Sequence, residues 1–278
     1  LRTGKTDLAE QQTQAIISSG KFELITSRYG IKASQPGDPF SDMFIYGNER
    51  RSQGNKEAIW VMEQENPSDV PGGITNNPQQ RRNWGAAYYA INDVDKNDPS
   101  KTVGMIICDS LGGRGIARMR LTDWVVYQLY DDPNDMRNSQ YNLRRKYYYN
   151  NPQGLHYGEQ VPYQGSDTLF KIMPNTTKWY QFDPNDVFGF AMIKDFILMR
   201  LCETYLLQAE AQFKQGKLTE AANSIDVLRA RANAAPVTAA DITMNFILDE
   251  RARELLAEEN RRMTLMRTGT LVDRTLAH

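Results

Sequence analysis

The sequence predicts a mainly α protein: a helical-repeat scaffold interrupted by a large loop-rich insertion. Apolar residues recur at helical spacing in residues 8–20 and again from residue 196 almost to the end. Between these stretches, turn-forming pairs such as Pro36-Gly37, Asn77-Pro78, Asp98-Pro99 and Asp183-Pro184 break the pattern repeatedly. The broken region also holds most of the rings in a chain with 14 Tyr and 4 Trp among 278 residues. An aromatic content this high argues against disorder there, and long ordered loops are usually functional.

The expected organisation has three parts. Residues 1–28 are the end of an N-terminal helical array, 29–195 a ligand-presenting loop region, and 196–278 a helical hairpin followed by a charged helix. In the first part, Leu8, Gln12, Ala15 and Ile16 mark one helix face, and Gly20 is a natural stop. In the second, Pro71-Gly72-Gly73, Asn76-Asn77-Pro78, Gly112-Gly113, Asp132-Pro133-Asn134 and Asn150-Asn151-Pro152 separate short ordered pieces at 58–62, 103–108 and 121–130. The last of these reads as a helix with Trp124, Gln128 and Leu129 on one side.

The third part opens with Leu198, Leu201, Tyr205, Ala209 and Phe213 as a helical stripe. Gln215-Gly216-Lys217 is a turn, and Thr219 is the expected cap of a second helix bearing Ala222, Ile225, Leu228 and Ala232. This is the plan of one tetratricopeptide unit. One unit cannot stack on itself, so further repeats are expected elsewhere, with the helix at 8–19 as the end of that array. Pro236 ends the pair. Thr238 or Asp241 then starts a third helix through Phe246, Ile247, Leu248 and Leu255.

That third helix continues, on this reading, into a charged run at 250–262. Glu250 with Arg253, Arg251 with Glu254, and Glu258 with Arg262 stand three or four apart. One reading is a solvated face laced by such pairs, each contributing about 0.2–0.5 kcal/mol. The other has Arg200, Glu203, Glu250, Arg251 and Glu254 tying the third helix to the hairpin, fixing its orientation more than adding stability. Neither is catalytic.

Composition narrows the function. A formal net charge of −1 gives no bulk attraction for nucleic acid or an anionic membrane. The mean hydropathy is −0.60, and no apolar run approaches the length that spans a bilayer. Two cysteines make no disulfide framework; Cys202 reads as a small buried residue in an apolar helix. With only His156 and His278, a multi-histidine metal site is not expected. Asp93-Val94-Asp95-Lys96-Asn97-Asp98 begins like a calcium loop, but Asp98 takes the glycine position and Gly104 that of the bidentate glutamate. Gly112-Gly113-Arg114-Gly115 fits neither a phosphate nor a dinucleotide loop. Tyr147-Tyr148-Tyr149 after Arg144-Arg145-Lys146 is one short cluster in a neutral chain, which does not make a nucleic-acid surface.

Three ordered motifs bring in a family. Arg200-Leu201, Glu203, Tyr205-Leu206 and Ala209-Glu210-Ala211 form the first, followed by a Gly turn and then Ala221-Ala222 through Leu228-Arg229-Ala230-Arg231-Ala232. Glu250-Arg251, Glu254-Leu255, Glu258 and Arg261 form the second, and Met266-Arg267-Thr268-Gly269 the third. In this order and spacing they resemble the C-terminal signature of SusD/RagB-type nutrient-binding proteins. Asp135-Met136-Arg137 resembles that family's Asp-x-Arg element, and Ile17 to Phe22 with Leu24 resembles the exit from its preceding repeat helix. Glu259, Arg262 and Thr264 depart from the pattern, standing where Gly, Trp and Asp are usual. Since the family's members are longer and the chain opens on Leu1, it reads as truncated at both ends.

The resemblance implies a SusD-like fold in which Arg200, Glu203, Tyr205, Glu210, Glu250, Arg251, Glu254 and Arg261 are structural. It implies a surface lipoprotein held to the outer membrane by an N-terminal lipid and paired with a SusC-like TonB-dependent transporter. The cargo would be an oligosaccharide, or a peptide in the RagB branch; no cofactor, metal, nucleic acid or enzymatic activity is implied. A glycosidase would need a pair of opposed carboxylates that no motif singles out. A protein-binding repeat adaptor would explain the helices but not the aromatic loops.

Sugar recognition stacks rings on pyranose faces and rings them with planar polar side chains. The best local match is the loop at 79–89, giving Arg81, Asn83, Trp84, Tyr88 and Tyr89 as ligand candidates. Trp179 and Tyr180 come second; Tyr157 and Tyr163 are weaker. The competing reading for each is that the ring packs its loop onto the core.

Overall fold

A computed structural model describes residues 1–66, 70–71 and 76–278. The Gly72-Gly73 turn expected from sequence lies outside the described residues. Helix α1 (Thr6–Ile17) opens the chain, followed by a short turn of helix, α2 (Pro39–Asp42), and strand β1 (Ala58–Met62). The middle carries α3 (Gln80–Trp84), β2 (Asn92–Val94), β3 (Thr102–Gly104), α4 (Asp123–Tyr127), β4 (Leu143–Arg144), α5 (Asp167–Phe170) and β5 (Asn175–Thr176). The C-terminal part runs β6 (Phe196–Arg200), α6 (Leu201–Lys214), α7 (Leu218–Arg231), α8 (Met244–Glu254), α9 (Arg261–Thr268) and α10 (Leu271–Ala277).

The hairpin α6–α7 forms where alanines let two helices approach. Ala209, Ala221 and Ala222 pack with Ile225, Ile242 and Ile247, and Cys202 joins Leu206, Leu228 and Leu255. The buried side chain expected for Cys202 is observed. Helix α1 lies antiparallel on α6 through an unusually polar seam. Gln208 donates to Gln14 at 2.7 Å, Gln215 to Glu10 at 2.9 Å, and Lys217 to Glu10 at 2.6 Å.

Several expected elements differ. The stripe from Leu198 does not start a helix: residues 196–200 are a strand that pairs antiparallel with β1, matching Met62 to Phe196 and Ala58 to Arg200. Its partner is well over a hundred residues away, so periodicity had no access to it. Helix α7 begins at Leu218 with Lys217 before it and no side-chain cap, so Thr219 lies inside the first turn. The third helix is capped by Thr243, whose side chain accepts from the Phe246 amide at 3.1 Å, and not by Thr238 or Asp241. In α4 the buried residues are Val125 and Val126, with Leu129 beyond its end, while Trp124 stacks on His278 at 4.2 Å.

The charged run is not one helix. It stops at Glu254, turns through Ala257 at φ +62°, and resumes at Arg261. The turn lets Glu258 and Glu259 face inward, where a continuous helix would have spread the acids round its circumference.

The loop region has a core of its own, in which Ala86, Tyr88, Ile91, Met105, Tyr147, Val161, Ile172 and Met173 pack together. In the Gly112–Gly115 run, two glycines serve close packing. A side chain on Gly115 would strike the backbone of Gly85 and Ala86, and one on Gly112, at φ +83°, would strike the Tyr180 ring.

Candidate functional site

A dense cluster of charge lies inside the protein. Arg200 extends from the end of β6 to Glu57 at 2.6 Å, Glu254 at 2.8 Å and Glu258 at 2.7 Å. Arg137 meets Asp135 at 2.7 Å, Glu250 at 2.7 Å and Glu254 at 3.0 Å. Arg231 pairs with both Glu57 and Glu254, and Lys178 with Glu258. Arg251 holds Glu203 at 2.9 Å and Glu259 at 2.7 Å. All but Glu203 are buried, or nearly so. The solvated-face reading of the charged run is therefore corrected in favour of the tying one, and Asp135 and Arg137 belong to the same cluster.

The electrostatics follow from this packing. Burial works to raise the Glu250, Glu254 and Glu258 carboxyls, but the surrounding guanidinium groups win and hold all three below the ordinary carboxylate range. Burial pushes the Cys202 thiol well up. Glu57, Cys202 and Glu254 converge as metal ligands would. Arg200 and Arg231 occupy both carboxylates, so a cation arriving there would meet two positive charges. The acids at 93–98 do not converge either: Asp93 turns to His156 at 2.6 Å and Asp98 to Lys101 at 2.8 Å. Glu210 accepts two bonds from Arg267, at 2.5 and 2.7 Å, so the third motif docks on the first. Arg261 donates to the Leu248 carbonyl at 2.7 Å, and Tyr205 packs at the edge of the core around Cys202.

The ligand candidates divide. Arg81, Tyr88 and Tyr180 face inward, on the side of the competing reading in which they pack their loops onto the core. Arg81 donates to the Asp186 carbonyl at 2.6 Å and its carboxylate at 3.0 Å. Tyr88 is fully buried, its hydroxyl engaged with the Cys108 backbone, and Tyr180, also fully buried, donates to Asn175 at 2.7 Å. Asn83, Trp84, Tyr89 and Trp179 are half-buried. Tyr89 lies 5.5 Å beneath the Arg114 guanidinium, and Trp179 tilts on Phe196 at 5.1 Å. The two candidate segments do meet: Arg81 and Gln181 both bond Asp186. They meet through their buried sides.

The exposed rings lie elsewhere. Tyr127 is 73% exposed, Tyr148 47% and Tyr163 45%. Tyr163 lies within electrostatic reach of Tyr127, Tyr148 and Arg145, and Arg145 is anchored by two bonds to the Val126 carbonyl. Tyr163 thus interacts with two further exposed rings and one anchored guanidinium, and together these offer the apolar faces and planar donors that a polyhydroxylated ring requires. Burial raises the Tyr163 phenol, which keeps it neutral and available as donor and acceptor. Phe188 and Phe190 are a second exposed pair, with Arg82 4.0 Å over the Phe190 ring. Of the first surface the sequence names only Tyr163, as a weaker candidate; alternation along the Tyr147-Tyr148-Tyr149 run is the signal that could have added Tyr148. In an extended chain alternate residues face opposite ways, and Tyr147 is buried where Tyr148 is exposed.

The SusD family model matches residues 131–275, just over half of the chain. The chain belongs to the SusD family. This SusD-family chain is 43% identical to the starch-binding protein SusD of Bacteroides thetaiotaomicron over 75 residues, which are 27% of this chain and 13% of that one. Among solved structures, a laminarin-binding SusD-like protein superposes with TM-score 0.61 at 16% identity, over 98% of this chain and 53% of that one. Surface glycan-binding protein A from Bacteroides thetaiotaomicron gives 0.59 at 15% identity over 96% and 50%, and its namesake from Bacteroides uniformis 0.58 at 18% over 95% and 45%. These likenesses establish the SusD-like helical-repeat fold. The chain spans about half the length of these solved structures.

Proposed function

We propose that this SusD-family chain binds an oligosaccharide at the cell surface and passes it to a SusC-like transporter in the outer membrane. The observation that carries the binding half is the exposure of Tyr127, Tyr148 and Tyr163, with Tyr163 in electrostatic reach of the other two and of Arg145. Covering such rings with the apolar faces of sugars gains about 25 cal/mol per Å² of apolar surface removed from water, so three rings give useful affinity only to a ligand long enough to cover them. Relatives named for starch, laminarin and surface glycans support the same class of cargo. The proposal is binding without turnover: the buried carboxylates of the motif helices are each held by guanidinium groups, which leaves them no role as general acid or base.

Calorimetry against a panel of neutral oligosaccharides tests this. Tyr127→Ala with Tyr163→Ala is expected to weaken binding roughly tenfold or more. The pair Trp84→Ala and Trp179→Ala tests the half-buried alternative face in the same assay. Affinity unchanged by the tyrosine pair sinks the assigned surface; uptake of peptides with no glycan binding replaces the cargo; release of reducing ends overturns the binding-only role.

A further inference from the structure

A cavity of about 210 Å³ lies where the loop bearing Arg28 and Lys32 meets β4 and the turn after Tyr180. Residues 144 and 145 are consecutive arginines, and they diverge: Arg145 serves the tyrosine surface, while Arg144 lines this cavity with Arg28, Lys32, Tyr141 and Phe182. The three cations differ in what they have left to give. Arg28 is fully engaged, donating to Asp42 at 2.6 and 3.0 Å and to the Gln35 and Lys32 carbonyls at 2.8 Å each. Its pairing also spends the charge of Asp42, the acid in the lining.

Lys32 and Arg144 remain. The Lys32 ammonium stands 5.0 Å over the Phe182 ring and 3.8 Å from Asp109, a loose pair. Arg144 gives one bond to the Ser110 carbonyl at 3.0 Å and lies 5.9 Å over the Tyr180 ring, with which it also interacts electrostatically, and its buried Nε has no hydrogen-bond partner. Phe182 sits at φ +55°, a strained backbone for a bulky residue, held with its ring 5.5 Å from Tyr180. Backbone strain of this kind clusters at ligand-binding positions.

We propose that this cavity takes the carboxylate of an acidic sugar residue, with Arg144 and Lys32 on the carboxylate and an aromatic wall against the ring. The inference rests on the glycan-binding reading and adds a preference for uronate-bearing chains. The cavity is smaller than the roughly 300–1,000 Å³ typical of drug-sized ligands, so it accommodates one sugar residue and not a run of them. A guanidinium fork fits a planar carboxylate with two parallel bonds. Gln35 and Gln140, both exposed on the rim, offer amides to the ring hydroxyls.

The test is calorimetry on the full chain with oligogalacturonate, its methyl ester, a sulfated oligosaccharide and free galacturonic acid, at low and high salt. The acid form is expected to bind about tenfold or more tightly than the ester, as one charge-assisted bond allows. Arg144→Gln removes that preference and Lys32→Gln reduces it, with neutral oligosaccharide binding unchanged and unfolding curves confirming that both variants fold. Equal affinity for acid and ester overturns the proposal, as does a preference that survives in the double variant, or tighter binding of the sulfated chain. Free galacturonic acid is too short to span the tyrosines and reports on the cavity alone. Its binding therefore separates failure here from failure of the tyrosine surface.

Discussion

Glu254 shows what single residues do in this protein. It is fully buried and touches Arg137, Arg200 and Arg231 together. A buried ion pair adds little over a hydrophobic pair, but removing one partner strands the others in a medium that cannot solvate them. Glu254→Ala is therefore expected to cost about 3–5 kcal/mol, read as a fall in the urea midpoint at constant slope. The same residues set the acid limit. Glu250, Glu254 and Glu258 titrate lower in the folded chain than in the unfolded one, so their contribution is complete above the unfolded carboxylate range of about 4.3. It is lost as pH falls through the depressed folded values. Stability measured from pH 6 down to pH 2 should fall steeply, and Glu254→Gln should flatten the slope. The departures from the family pattern are also local chemistry: Thr264 donates to Glu259 at 3.0 Å, so two of the three unusual residues satisfy each other. Cys202, with its raised thiol, is expected to resist a thiol reagent that modifies half-exposed Cys108; unfolding should release a second reactive thiol.

Among the elements, α8 depends on one cap. Thr243→Ala removes the acceptor for the Phe246 amide and is expected to cost about 0.5–2 kcal/mol, visible as a lower thermal midpoint with binding unchanged. The ribbon bearing Tyr148 is tied to β2 by Asp93, which accepts from the His156 amide at 2.8 Å and meets its ring at 2.6 Å. The Asp93 side chain raises the His156 pKa. A raised folded value means that this tie is complete below the unfolded pKa and fades as pH rises through the folded one. An NMR titration should place His156 above the ordinary histidine value near 6.5, and Asp93→Asn should bring it back. A value unaffected by Asp93→Asn would remove the proposed tie.

At the scale of the molecule, the helical part and the loop region are joined by charge, by the β1–β6 ladder and by apolar packing of Val125 and Leu129 on Ala252. Arg137 and Lys178 leave the loops to reach acids on and after α8, and β1 crosses to β6 beside Arg200. Helix α1 is attached differently, through the glutamines of α6 and the carboxylate of Glu10. Polar seams exchange protein bonds for water bonds and hold weakly. Glu10→Ala should accelerate hydrogen exchange in α1 while the amides of α7 and α8 keep their protection. Equal loss across all three helices would mean that α1 folds as part of the hairpin.

By itself the sequence determined what local chemistry can determine. The hairpin of α6 and α7, the Gly216 turn, the buried Cys202 and the family motifs rest on periodicity and spacing; the break of the charged run between Glu254 and Arg261 does not. It also narrowed the charged residues to two readings, because alternating charge looks alike on a wet face and in a paired interior. Only the tertiary structure chose between them, since Glu57, Arg137 and Lys178 arrive from distant loops to meet Arg200, Glu250, Glu254 and Glu258. The same holds for the rings. Tyr88 and Tyr148 have equal propensity for ligand and for core, and what separates them is burial, at 0% and 47% exposure. Exposure is a property of how loops pack, which residues nearby in sequence do not fix.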